Sequence, residues 1–265
     1  MAQRILFGAA AAVVSVGMLA IGYWAGASAD SENTGDPTVV VGGGGELDGQ
    51  IRDYLMRNPE VLVEAQQALE SRRAEEQRLA QAKTLESRSD SIFRLATDGI
   101  IGNPDGKVSV VEFYDYNCGF CKRALADMIT LTEQNKDLRF VLKEFPILGP
   151  DSHAAHVVAE AFKDLMPDQY GEFHNRLLGD SGRATEARAI ELAVSLGADE
   201  AALREAMKNP TIEARFRETY ELADALGITG TPSYVVGDEV VFGAQGAAVI
   251  APKVANLEQC GKTVC

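Results

Sequence analysis

Histidine and cysteine are scarce in this chain, with three and four residues among 265, and the shortage leaves little material for a metal centre. His153 and His156 are spaced to share one helical face, but no third ligand lies near them, and they read as solvated helix positions. His174 has no partner in sequence and is expected at the surface or its boundary. Tetrahedral zinc needs four ligands, yet Cys260 and Cys265 sit far from Cys118 and Cys121, on a C-terminal tail and with a wider spacing. Positive charge is in deficit too: 25 Lys and Arg face 39 Asp and Glu, for a net charge of -14. A protein that tracks phosphates needs a basic stripe, so nucleic acid is excluded, and basic or unfolded proteins fit better as partners. There is no Ser-His-Asp pattern and no phosphate loop. Lys122, not His, follows the C-x-x-C pair, which excludes haem attachment. No internal repeat is present. The apolar fraction of 46% is ordinary for a globular protein and sufficient for a real core.

The chemistry that is present is concentrated in Val110 to Arg123, VVEFYDYNCGFCKR. A β-branched and aromatic run leads into two thiols three positions apart, and a helix-forming run follows. A thiol in the first turn of a helix meets unpaired backbone N–H groups and the positive end of the helix dipole, both of which favour its thiolate. The thiolate is the species that attacks disulfides. Cys118, nearer the helix start, is expected to be the exposed, attacking thiol, and Cys121, one turn further in, the one that resolves the mixed disulfide. Phe120 between them brings no charge, so the thiolate must be held by amides and the dipole. A zinc half-site and a purely structural disulfide are the alternatives for this pair, and so short a loop gains little from closure. Glu112 alternates with Val111 and Phe113 in an otherwise apolar strand. Buried there, its carboxyl would have a raised pKa and could move a proton to or from Cys121; the other reading is an ordinary acid at a strand edge. Lys143 is a candidate partner for it across adjacent strands. In an oxidising compartment Cys260 and Cys265 are expected to close a small tail disulfide, with a second redox relay as the alternative.

The chain divides by composition. Residues 1–29 carry Arg4, an apolar run from Ile5 to Trp24 and the small residues Ala27-Ser28-Ala29, the pattern of a secretory signal peptide; the run approaches the ~20 residues of a membrane span, so an uncleaved anchor is the alternative. Export to an oxidising compartment suits disulfide chemistry. Residues 30–46, rich in Gly, Ser, Thr and Asn, form a flexible tether. Residues 47–90 are helical: Leu47, Ile51 and Leu55 share a face, and Asn58-Pro59 caps a second helix running to about Arg88, too polar from Ser71 to Gln81 to hold a core of its own. It is read either as a solvated helix packed on the next domain or as an oligomerisation segment. Residues 91–258 form the catalytic domain, with Asn103 to Gly106 a turn, Val108 to Tyr114 a central strand, Phe120 to Asn135 a helix and Leu138 to Phe145 a buried strand. Residues 152–226 are successive helices without strand signals. Ser233 to Val236 and Glu239 to Phe242 make a hairpin, Gln245 to Asn256 a closing helix, and 259–265 a tail.

The Val110 to Arg123 segment resembles the active site of thioredoxin-fold thiol:disulfide oxidoreductases, in which an acid at the position of Glu112 lies beneath the dithiol. Gly227 to Val236, GITGTPSYVV, resembles the loop in which a cis-proline faces that dithiol; the resemblance implies that Thr231 and Pro232 are its two residues. The long helical insertion is that of DsbA-like proteins. The run IRDYLMRNPEVLVEAQQALE resembles the amino-terminal region of the ScsC-type subgroup, some of whose members form trimers. The resemblance therefore implies an α/β, thioredoxin-like fold with a helical insertion and an N-terminal helical extension, acting in the periplasm without cofactor or metal. Its substrates would be unfolded or wrongly disulfide-bonded exported proteins. Gly119-Phe120 with Thr231 leans toward disulfide isomerisation, served by a membrane thiol reductase and a homotrimer; dithiol oxidation with a membrane oxidase is the runner-up. From another class, the thiols could sequester copper or another soft ion.

Overall fold

The computed structural model describes residues 44–265, so the signal or anchor segment and nearly all of the tether lie outside the described residues. It divides into two compact units, one up to Val61 and one from Leu62 to Cys265. The first holds α1, Gly44–Arg57, with Glu46 in its first turn and Arg57 in its last, charges that complement the helix dipole. Leu47, Ile51, Tyr54 and Met56 on it are exposed.

The second helix, α2, spans Glu60–Ser87. Leu62, Val63, Leu69 and Leu79 are exposed along it, yet its last turns are part of the second unit's core. Leu85 is buried there, Gln81 Nε2 donates to Leu226 O at 2.8 Å, and Thr84 Oγ1 donates to Ala225 O at 3.2 Å. Those carbonyls end a later helix and have no partner within it. A short α3, Ser89–Phe93, follows.

Five strands then form one sheet in the order β1-β3-β2-β4-β5. The central strand β2, Val108–Tyr114, and β3, Leu138–Glu144, are parallel and joined by α4, Gly119–Gln134. The remaining pairs are antiparallel: β1, Gly99–Gly102, on β3, and β4, Ser233–Val236, on β2, with β5, Glu239–Phe242, closing a hairpin at Gly237. Strand β1 was not expected; its four residues GIIG give neither alternation nor length enough to signal a strand. Gly99 has to be glycine, since a Cβ there would fall 2.0 Å from the Tyr170 ring.

Both faces of β2 are covered, which is why it reads as a nearly continuous apolar run. Val110 and Tyr114 face one core with Phe140, Leu142 and the insertion helices. Val111 and Phe113 face the other with Val141, Phe145, Leu222 and Leu226. The insertion consists of α5, Pro150–Leu165, a 3-10 turn at Pro167–Gln169, α6, Tyr170–Gly179, α7, Glu186–Ser195, α8, Glu200–Ala206, and α9, Pro210–Ala225. Asp199 and Asn209 cap the last two, accepting from Ala202 N at 2.8 Å and Thr211 N at 3.1 Å, the capping chemistry their residue types favour. The closing helix α10, Ala247–Cys260, runs past the expected Asn256 and stops at Gly261, whose φ is 76°, the left-handed position that suits glycine. Cys260 and Cys265 form the tail disulfide. Among the described residues no helix is long and apolar enough to cross a membrane.

Candidate active site

Strand β2 delivers Cys118 to the start of α4, where it is the N-cap with extended backbone, φ -78° and ψ 113°. An N-cap residue sits beside the helix's unpaired amides. Both thiols are free. The expectation that Cys118 is exposed needs correcting, because it keeps 6% of its surface and Cys121 none; the loop before β4 covers it. That loop contains a cis bond between Thr231 and Pro232, and Cys118 Sγ donates to Thr231 O at 3.1 Å. Thr231, Pro232, Cys118, Cys121 and Glu112 are thus brought together.

Two thiols of opposite character result. The hydrogen bond from Cys121 pulls Cys118 down to about 5, against burial and with help from the Thr231 hydroxyl and the Cys121 and Phe120 amides. Cys121 is pushed far up by burial, by its role as donor to Cys118 and by the nearby Glu112 charge. Phe120, 57% exposed, supplies no charge, and Arg123 stacks on its ring at 4.2 Å.

Glu112 is 1% exposed. Tyr234 Oη donates to its Oε1 at a long 3.4 Å, and Oε2 has no partner among the described residues. Burial therefore raises its carboxyl to about 8, with Tyr234 opposing and the Cys118 charge adding to the shift. Lys143 does not pair with it. The parallel register sets Leu142 opposite Glu112 and Lys143 opposite Phe113, so the lysine lies on the other face of the sheet, where Nζ reaches Asp98 Oδ2 at 2.5 Å and Ser91 O at 2.6 Å.

The histidines also depart from expectation. His153 is half-exposed and pairs with Glu213 at 2.9 Å, but His156 and His174 are fully buried, because α5 and α6 pack their inner faces against the aromatic end of β2. Burial lowers His174 to about 4. The turn ahead of Cys118 holds two further residues that sequence reading missed. Asp115 Oδ2 accepts from Ile147 N at 2.9 Å and Leu148 N at 3.0 Å, and its Oδ1 from Asn117 N and Ser152 Oγ, both at 2.8 Å. Asn117 Oδ1 accepts from Ala184 N at 2.8 Å, and its amide donates to Ala184 O at 2.9 Å. The signal was an Asx pair directly after an aromatic strand end, a pattern that favours a side-chain-braced turn.

This arrangement is a dithiol with one activated and one suppressed sulfur beside a buried acid. The family model described as a DSBA-like thioredoxin domain matches residues 109–255, and the one described as the copper resistance protein ScsC N-terminal domain matches residues 46–76. A thioredoxin-like oxidoreductase from Silicibacter pomeroyi is similar in structure, with a TM-score of 0.61 at 36% identity over 64% of this chain and 98% of that one. Proteus mirabilis ScsC in a transitional conformation has a TM-score of 0.58 at 30% identity over 77% of this chain and 90% of that one. The thiol:disulfide interchange protein DsbA of Bordetella pertussis is 27% identical over 50% of this chain and 64% of that protein. The chain spans only 24% and 21% of the length of two Salinispora Na(+)/H(+) antiporters that it also matches. With more than half of its length under the DSBA-like thioredoxin model, this chain belongs to the DsbA-like thioredoxin family of thiol:disulfide oxidoreductases, and its N-terminal helices match the ScsC N-terminal domain.

Proposed function

We propose that the protein rearranges wrong disulfides in exported proteins of the periplasm, as a homotrimeric isomerase kept reduced by a membrane thiol reductase. The observation that carries the chemistry is the opposed character of the two sulfurs: Cys118 with its pKa near 5 beneath Thr231, and Cys121 held protonated beside Glu112. The Cys118 thiolate attacks one sulfur of a substrate disulfide, forming a mixed disulfide and releasing the other sulfur as a thiolate. A second substrate thiolate that attacks the mixed disulfide leaves the substrate rearranged and Cys118 reduced. If none arrives, Cys121 gives its proton to the ionised fraction of Glu112, which grows once the mixed disulfide removes the Cys118 charge that helps hold the carboxyl protonated, and attacks Cys118, releasing reduced substrate and leaving Cys118 and Cys121 oxidised; a membrane reductase then returns two electrons. Exposed apolar side chains on α2 support self-association, which would set several dithiols around one substrate.

A second reading is dithiol oxidation, and the low Cys118 pKa favours it, since a stable thiolate makes the disulfide form oxidising. A reduction potential measured against glutathione, together with refolding of a scrambled multi-disulfide substrate, separates the two. Refolding activity by the reduced protein supports isomerisation. Fast oxidation of reduced substrate with no unscrambling overturns it in favour of the oxidase.

A further inference from the structure

Between the end of β2 and Cys118 the chain changes from strand to helix within three residues, and the amides of Tyr116, Asn117 and Cys118 each have an acceptor. Asn117 N–H donates to Asp115 Oδ1 at 2.8 Å and Cys118 N–H to Asp115 O at 2.9 Å. Both acceptors belong to the turn. Tyr116 N–H instead donates to Nε2 of His156, 3.2 Å away on α5. An imidazole nitrogen that accepts a hydrogen bond carries no proton, so the ring proton of His156 is on Nδ1, and Nδ1 faces Glu144 Oε2. The other Glu144 oxygen accepts from Tyr170 Oη at 2.6 Å. The tautomer is thus set by a carboxylate that is itself held in place.

The surroundings give the ring no freedom. The Tyr116 ring packs 4.5 Å and the Tyr114 ring 5.3 Å from it, centroid to centroid, and His156 is fully buried. A buried carboxylate–imidazole pair is costly to desolvate, and an apolar pair of the same volume would serve packing at least as well. Among the described residues its one side-chain hydrogen bond to the backbone is the bond to Tyr116.

We infer that His156, oriented by Glu144 and Tyr170, is a positioning residue for thiol exchange: by accepting the Tyr116 amide proton it fixes the turn that sets the Cys118 sulfur against the α4 amides and Thr231. The inference rests on the reading of Cys118 as the attacking thiol. It makes the helical insertion, through α5, a determinant of thiolate stability on the thioredoxin sheet.

Two full-length variants test it. His156→Leu keeps the volume and removes the acceptor, whereas His156→Gln offers an oxygen near the same place. Thiolate absorbance followed against pH and the rate of mixed-disulfide formation are the readouts, with thermal melting as the control for folding. In His156→Leu the Cys118 pKa should rise by about one or more, so that attack slows about tenfold at a pH below it; His156→Gln should stay within about threefold of the parent. A cooperatively melting His156→Leu with an unchanged Cys118 titration overturns the positioning role, as does a His156→Gln that behaves like His156→Leu. If the leucine variant does not fold, imidazole nitrogen NMR of the parent decides: a proton on Nδ1 and none on Nε2 supports the assignment, and the reverse overturns it. Loss of the titrating thiolate signal in Cys118→Ser is expected; its persistence would sink the nucleophile assignment itself, independently of His156.

Discussion

At the scale of single residues, the candidate site places groups of like chemistry in unlike surroundings. Cys118 has amides and a thiol donor aimed at its sulfur, while Cys121 has burial and a nearby acid against it. Cys118→Ser should therefore abolish exchange, and Cys121→Ser should accumulate mixed disulfides, seen as substrate adducts on non-reducing gels. Equal alkylation rates of the two thiols in the parent would contradict the assignment. Glu112 carries a sign that can be checked separately. Its carboxyl goes from 4.5 to about 8 on burial, so between those values the folded chain keeps a proton that the unfolded chain has lost. Stability is consequently lost as pH rises from 4.5 to 8 on this account, and Glu112→Gln should flatten that decline, measured by denaturant melts across the window. The same change should slow Cys121 attack on a trapped mixed disulfide by on the order of a hundredfold, since the proton acceptor is gone. A decline of the same slope in the variant would show that another group sets it.

At the scale of elements, the dithiol is assembled from β2, the start of α4 and the loop before β4, three pieces separated by more than a hundred residues of chain between Cys118 and Thr231. The contribution of the loop is testable through the Thr231 hydroxyl, which helps lower Cys118. Thr231→Val should raise the Cys118 pKa by about one, the worth of one charge-assisted hydrogen bond, and make the potential about 30 mV more negative. An unchanged potential would mean that the side chain does not touch the sulfur. Much of this assembly was legible in the sequence. The bounds of β2, β4 and β5 follow from short, nearly continuous apolar runs bounded by turn residues, and the thiol pair from its spacing at a helix start. The rest depends on what packs where. Lys143 and Glu112 look like neighbours until the parallel register sends them to opposite faces, and His156 looks solvated until α5 turns it toward Tyr116. Polar residues buried by tertiary contact leave no trace in periodicity, because their own element is amphipathic either way.

At the scale of the whole molecule, the question is what the N-terminal helices do, and α2 answers differently along its length. From Gln81 onward it is anchored in the core of the second unit, through Leu85 and through its bonds to Ala225 and Leu226. Earlier, it exposes Leu62, Val63 and Leu69, apolar side chains that a helix of a monomer would not be expected to present to water together with those of α1. A cut after Ser87 would therefore injure the catalytic fold and confuse loss of assembly with loss of stability. The informative cut is after Glu76, which removes α1 and the exposed Leu62, Val63 and Leu69 of α2 but keeps every contact from Gln81 on. Linked sites raise the effective thiolate concentration once one substrate sulfur is held, so the shortened protein should be monomeric by light scattering, reduce a simple disulfide at about the parent rate, and unscramble a multi-disulfide substrate about tenfold more slowly or worse. A monomeric mass for the parent would remove the oligomer from the mechanism, and with it the main physical reason to place rearrangement ahead of oxidation.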